Sequence, residues 1–138
     1  MKKGFTLIEL LLVVTILGIL AAISLPKFFP QTERARVAEA VAILQSIRQG
    51  EAAYFLEHNT YCDPDGGACT WNDLGMEDPN LNPSNFFDYT VNIVQLNIIR
   101  AERKPGVKDP GDKYGDSYIS LSLSGGGGYG GDHPLRPQ

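Results

Sequence analysis

Only two histidines and two cysteines occur among the 138 residues, and this scarcity removes several kinds of chemistry. His58 and His133 stand far apart, and neither has a neighbour at metal-ligand spacing. Two cysteines alone do not complete a tetrahedral metal shell. Positive charge is also short: 12 Lys and Arg face 16 Asp and Glu, for a net charge of −4. An acidic surface repels the phosphate backbone, so no direct nucleic-acid contact is expected. The chain lacks a nucleophile–base signature, a phosphate-binding loop and a paired-acid motif, so neither enzymatic activity nor a cofactor is expected. The one serine-rich stretch, Ser117 to Ser124, is accounted for by strand alternation.

What the chain has is a long apolar run near its start. Phe5 to Leu25 gives 21 positions with a single charge, Glu9. As a helix this run is about 31 Å long, close to the hydrocarbon thickness of a bilayer. Lys2 and Lys3 precede it, which holds the N-terminus in the cytoplasm and sends the remainder outward. An ordinary secretory signal has a shorter apolar core, followed by a cleavage site between small residues. A plain single-span anchor fits the length but leaves Glu9 without a purpose, because a carboxylate in hydrocarbon is costly. Such a residue points to function, here to a subunit that leaves the membrane for a filament.

The residues Gly4-Phe5-Thr6-Leu7-Ile8-Glu9 resemble the processing motif of type IV pilins and type II secretion pseudopilins. The resemblance covers about the first thirty residues. It implies that a membrane aspartic peptidase, the prepilin peptidase, cuts between Gly4 and Phe5 and that Phe5 becomes N-methylated. Glu9 is then the fifth residue, one turn from a new positive amine on Phe5. The family pairs this glutamate with the terminal amine of a neighbouring subunit, which sets axial register and neutralises both charges. A pair within one chain is the rival arrangement for the membrane-stored subunit. Loss of Lys2 and Lys3 leaves 10 basic residues against 16 acids, or −6.

Pro26 and Pro30 lack the N–H groups that would bond the carbonyls of Ala22 and Pro26, and Gly18 lowers helix propensity. By resemblance, the stretch from Gly18 to Pro26 melts within the filament; a simple kink is the alternative. Beyond Pro30, Val37, Val41, Leu44 and Ile47 follow helical spacing, extended by Tyr54 and Phe55. Glu33, Arg34, Arg36, Glu39, Arg48, Glu51 and Glu57 supply charge elsewhere on this helix, read as Gln31 to Glu57. A charged helix face is ordinarily a solvated face; in a filament it can also make subunit contacts.

His58 to Asn85 is a turn-rich connection, with Trp71, Leu74 and Met76 as anchors onto the core. Cys62 and Cys69 flank a Pro-Asp-Gly-Gly turn. In an exported domain they are expected to form a disulfide, with two free thiols as the alternative. Many pilins carry their disulfide near the C-terminus instead. Three strand candidates follow: Phe86 to Val94, Leu96 to Arg103 and Tyr118 to Leu123. Asp109, Asp112 and Asp116 lie in a Pro/Gly-rich loop and Asp132 in the tail. Pseudopilins often bind calcium in this region, but the spacing here does not match an EF-hand, and solvated turn aspartates explain them better. Six glycines surround Tyr129 between Gly125 and Gly131, so the tail is expected to be mobile or extended, or laid across a neighbouring subunit. Phe5, Phe28, Phe29, Tyr54 and Tyr61 could suggest a conducting stack; packing is the simpler role.

The expected fold is α+β and type IV pilin-like, a long N-terminal helix packed on a small antiparallel sheet. Its segments are a leader at 1–4, an apolar half-helix at 5–30 and a head at 31–138. The head divides into a helix at 31–57, a loop at 58–85, a sheet at 86–123 and a flexible tail at 124–138. The resemblance implies a helical surface filament of identical subunits, serving adhesion, twitching motility or DNA uptake. Subunits would come from an inner-membrane pool in contact with lipid, drawn out by an assembly platform with a cytoplasmic ATPase. The alternative is a pseudopilin of a type II secretion system, building a short periplasmic pseudopilus. A membrane-anchored binding protein that never polymerises is a third reading; it predicts that Glu9 is dispensable.

Overall fold

Helical sequence dominates the first half of the chain. In the computed structural model, helix α1 spans Leu7–His58 and the chain forms two units, Met1–Arg34 and Ala35–Gln138. The structure describes residues 4–93, 97–104, 114–124 and 128–138, with backbone only at 25–30.

In the first unit, the backbone is helical through Gly18, Pro26 and Pro30. The sequence reading separates 5–30 from 31–57, whereas α1 runs across both segments, and the second unit begins at Ala35. The segment Leu7–Ser24 is long and apolar enough to cross a membrane and has no buried residue. Thirteen large apolar side chains between Phe5 and Ile23 are exposed. Burying such a set against lipid or other helices releases on the order of 20 kcal/mol, which water forgoes.

In the second unit, one stripe of α1 is buried: Val37, Ala40, Leu44, Ile47 and Glu51. The apolar members lie at the 3–4 spacing that brings side chains onto one helix face. They share a core with Phe87, Tyr89 and Val91 of β1 (Phe87–Asn92), Ile99 and Ala101 of β2 (Ile98–Arg103), and Ile119 and Leu121 of β3 (Tyr118–Ser122). A fourth strand, β4 (Tyr129–Gly131), completes an antiparallel sheet of order β1-β2-β3-β4. Cross-strand rows explain the composition: Tyr89 lies opposite Ala101, which lies opposite Ile119 and then Gly131. Large and small side chains thus alternate across the sheet.

β4 corrects the expectation of a flexible tail over 124–138, because Tyr129, Gly130 and Gly131 join the sheet. A side chain at Gly131 would run into the carbonyl of Tyr118, and its φ of 105° suits glycine. Tyr118 N–H also donates to Asp132 Oδ1 (2.8 Å), and His133 N–H donates to the Tyr118 carbonyl (3.1 Å). Tyr129 OH accepts from Gln45 Nε2 at 2.7 Å, tying the strand to α1. Leu96 and Val94 of the expected strands, and Gly125 to Gly127 of the tail, lie outside the described residues.

Candidate assembly site

The N-terminal end of α1 carries Gly4, Phe5, Thr6 and Glu9 in the open, with Phe5 80% exposed. Thr6 and Glu9 form a reciprocal cap. Glu9 Oε2 accepts from the Thr6 backbone N–H at 2.9 Å and from its hydroxyl at 2.6 Å, while the Glu9 N–H donates to Thr6 Oγ1 at 3.3 Å. This Thr-x-x-Glu arrangement satisfies backbone donors that a helix start leaves unpaired. It also fixes the rotamer of the one carboxylate in the apolar run. Both bonds fall on Oε2, and no partner for Oε1 is found among the described residues. One oxygen of Glu9 can therefore cap its own helix while the other meets a cation. Glu9 stands out in the sequence by its charge, whereas Thr6 is marked only by the capping-box spacing.

The other singled-out residues fall apart from this site. Gly18 has no atom within contact range of a built side chain, so nothing in the single chain requires glycine there. Pro26 and Pro30 lie in the segment whose side chains are outside the description. Cys62 and Cys69 form a disulfide with a Cα–Cα distance of 5.8 Å, inside the normal range. Asp109 and Asp112 lie outside the described residues, and Asp116 is exposed in a left-handed turn at φ 58°. Among the described residues, no group of three His, Cys, Asp or Glu side chains could hold a metal. His58 stacks on Tyr54, with ring centroids 4.1 Å apart. His133 is buried, stacked on Tyr114 at 5.4 Å and near Phe87. Both are placed as structural groups.

The disulfide loop is held by a residue that the sequence reading left on the charged face. Glu51 is fully buried, and its Oε2 accepts from the Cys62 N–H at 2.8 Å. Its Oε1 is buried without a hydrogen-bond partner among the described residues. Burial pushes this carboxyl up to about 7; the bond from Cys62 opposes the shift and nearby Asp63 adds to it. Trp71 and Leu74, in a 3-10 helix at Trp71–Leu74, are buried beneath the same loop, and Met76 is half-buried. Asp73 caps that helix by accepting from the Thr70 N–H (2.7 Å) and hydroxyl (2.9 Å), which hold its carboxyl below the usual range. No signal in the sequence distinguishes Glu51 from its exposed neighbours, because its burial depends on where the loop folds back.

An exposed apolar helix with a capped carboxylate at its start, joined in one chain to a small α+β head, is the type IV pilin-like architecture expected from the sequence. The prokaryotic N-terminal methylation motif matches residues 1–25. The chain is 43% identical over 61 residues to the type IV major pilin PilE1 of Neisseria gonorrhoeae, covering 44% of this chain and 37% of that protein. It is 43% identical over 62 residues to the type IV major pilin PilA of Myxococcus xanthus, covering 45% and 28%. A fimbrial protein of Pseudomonas aeruginosa is 36% identical over 80 residues, covering 58% and 52%. The match spans about a quarter to a half of these relatives' lengths. The motif and these relatives make the chain similar to type IV pilins.

Proposed function

We propose that this chain is a structural subunit that polymerises with identical copies into a type IV pilus-like surface filament. The observation that carries the reading is the bare apolar helix of the first unit, headed by a carboxylate one of whose oxygens has no partner among the described residues. Before assembly the helix lies in the inner membrane with the head outside. Prepilin peptidase cuts after Gly4 and Phe5 becomes N-methylated. The amine of Phe5 on an incoming subunit and Glu9 of a neighbour then cancel two charges that hydrocarbon would penalise. An assembly platform with a cytoplasmic ATPase draws subunits from lipid into the bundle. There, melting between Gly18 and Pro26 relieves the hydrogen bonds that the prolines cannot make.

Relatives named as major pilins favour the pilus over the secretion pseudopilus. The test is Glu9→Ala and Glu9→Leu in cells that make the filament. Both variants are expected to enter the membrane and lose the filament. Normal filament yield from either would overturn the role of Glu9 in assembly.

A further inference from the structure

We propose that the head carries two complementary faces through which copies of this chain bind head to tail, an inference that rests on the filament reading. The first face centres on Leu81, a large apolar side chain that is 70% exposed. It borders a depression that Glu39, Glu77 and Asp78 also line, so this exposed side chain, the knob, stands beside three carboxylates. The second face is a pocket formed by Ala52, Phe55 and Leu56 of α1 with Tyr61 and Leu123, rimmed by Arg48. Leu56 is 86% exposed there. Arg48 has no carboxylate within ion-pair distance, and Glu39 and Glu77 have no cation, among the described residues.

Position decides how the faces are used. On a helix with 100° between residues, Glu39 lies on one flank of the buried stripe, while Arg48, Ala52 and Leu56 lie on the opposite flank, each set about 100° from its centre. The two sets are also separated by about 20 Å along the axis. A chain therefore cannot close its own knob into its own pocket. It can offer the knob to one neighbour and the pocket to another. Such a contact between unlike faces does not close as a two-fold dimer, and where its rotation does not close a ring it propagates as an open helix. Apolar filling supplies contact, while the carboxylates against Arg48 select the register. On an acidic head an unpaired arginine beside an apolar pocket suits an acidic knob, and this chain supplies one itself.

The test uses the full chain in cells that make the filament, comparing sheared filament protein with the processed pool left in the membrane. Arg48→Glu and Glu77→Arg, made singly, are each expected to lower filament yield by at least about tenfold while the processed pool stays at its usual level. Combined in one chain, they are expected to restore the yield to within about twofold of the unaltered protein. Leu81→Asp, at an exposed position that folding does not use, is expected to lower the yield as the single reversals do. Full yield from both single reversals, or a double variant no better than the worse single one, would overturn the pairing. An unaltered chain that forms no filament would overturn the filament reading itself, and the pairing with it.

Discussion

Glu9 is costly in an apolar run, and Thr6 offsets part of that cost. Thr6 supplies two donors to one carboxylate oxygen, so it acts as a positioning residue for whatever meets the other. Thr6→Val removes the hydroxyl and keeps the shape; filament yield is expected to fall several-fold, while Thr6→Ser retains most of it. Equal yields from the valine and serine variants would remove the positioning role. Glu51 is a second residue whose setting governs its behaviour. Its carboxyl titrates near an ordinary 4.5 when the chain is unfolded and at about 7 when folded. The folded state thus binds more proton between these values. The contribution of Glu51 favours folding below about 4.5 and declines as pH rises to about 7. Glu51→Gln retains an oxygen for the Cys62 N–H and cannot ionise. It is expected to raise stability at pH 8 by about 1–3 kcal/mol and to flatten the pH dependence between 5 and 8. Thermal unfolding of the full chain in detergent at both pH values checks this; an unchanged slope would contradict it.

Elements show where residue patterns suffice and where they do not. Val37, Leu44 and Ile47 of the α1 stripe and the strands β1 to β3 were legible because alternation and 3–4 spacing are properties of the local sequence, whereas Val41 and Tyr54 are only half-buried and Phe55 is exposed. β4 was not, since glycines have low strand propensity and are read as a loop. It forms because Gly130 and Gly131 let the backbone approach β3 where a side chain would collide with Ser120 or Tyr118. The cap at Thr6 was legible in spacing, whereas the burial of Glu51 was not, because it depends on a loop closed eleven residues later. Gly50 belongs to the same category: it lets α1 approach the Leu74 backbone, where a β-carbon would strike the carbonyl oxygen. Gly50→Ala gains about 1 kcal/mol of helix propensity, but the clash is expected to cost more, for a net loss of about 1–2 kcal/mol by thermal unfolding. A gain in stability would show that the loop yields. Replacing Cys62 and Cys69 together by serine is expected to cost about 2–3 kcal/mol, as for a short disulfide loop, checked in the same way.

At the scale of the whole molecule, the two units have opposite relations to solvent. The second unit buries its own core of α1, loop and sheet, whereas the first presents its apolar side chains outward. A chain so divided needs an apolar surrounding, and in the proposed filament other copies of its helix take the place of lipid. The acidic balance of the processed chain, −6, adds long-range repulsion between heads. Filaments should therefore tolerate moderate salt well, because screening weakens that repulsion while helix burial is largely unaffected. Sheared filaments incubated from low to physiological salt should keep their length distribution by electron microscopy; fragmentation as salt rises would show that attractive charge pairs dominate cohesion.

The central claim is that this chain, cut after Gly4, is the building block of a filament. Mass spectrometry of filaments sheared from the native cells, imaged in parallel by electron microscopy, tests it most directly. The account predicts long filaments dominated by this chain, with a mass that begins at N-methylated Phe5. A processed chain confined to the cell envelope would shift the assignment to a pseudopilin or minor subunit, and a chain that still begins at Met1 would contradict the account outright.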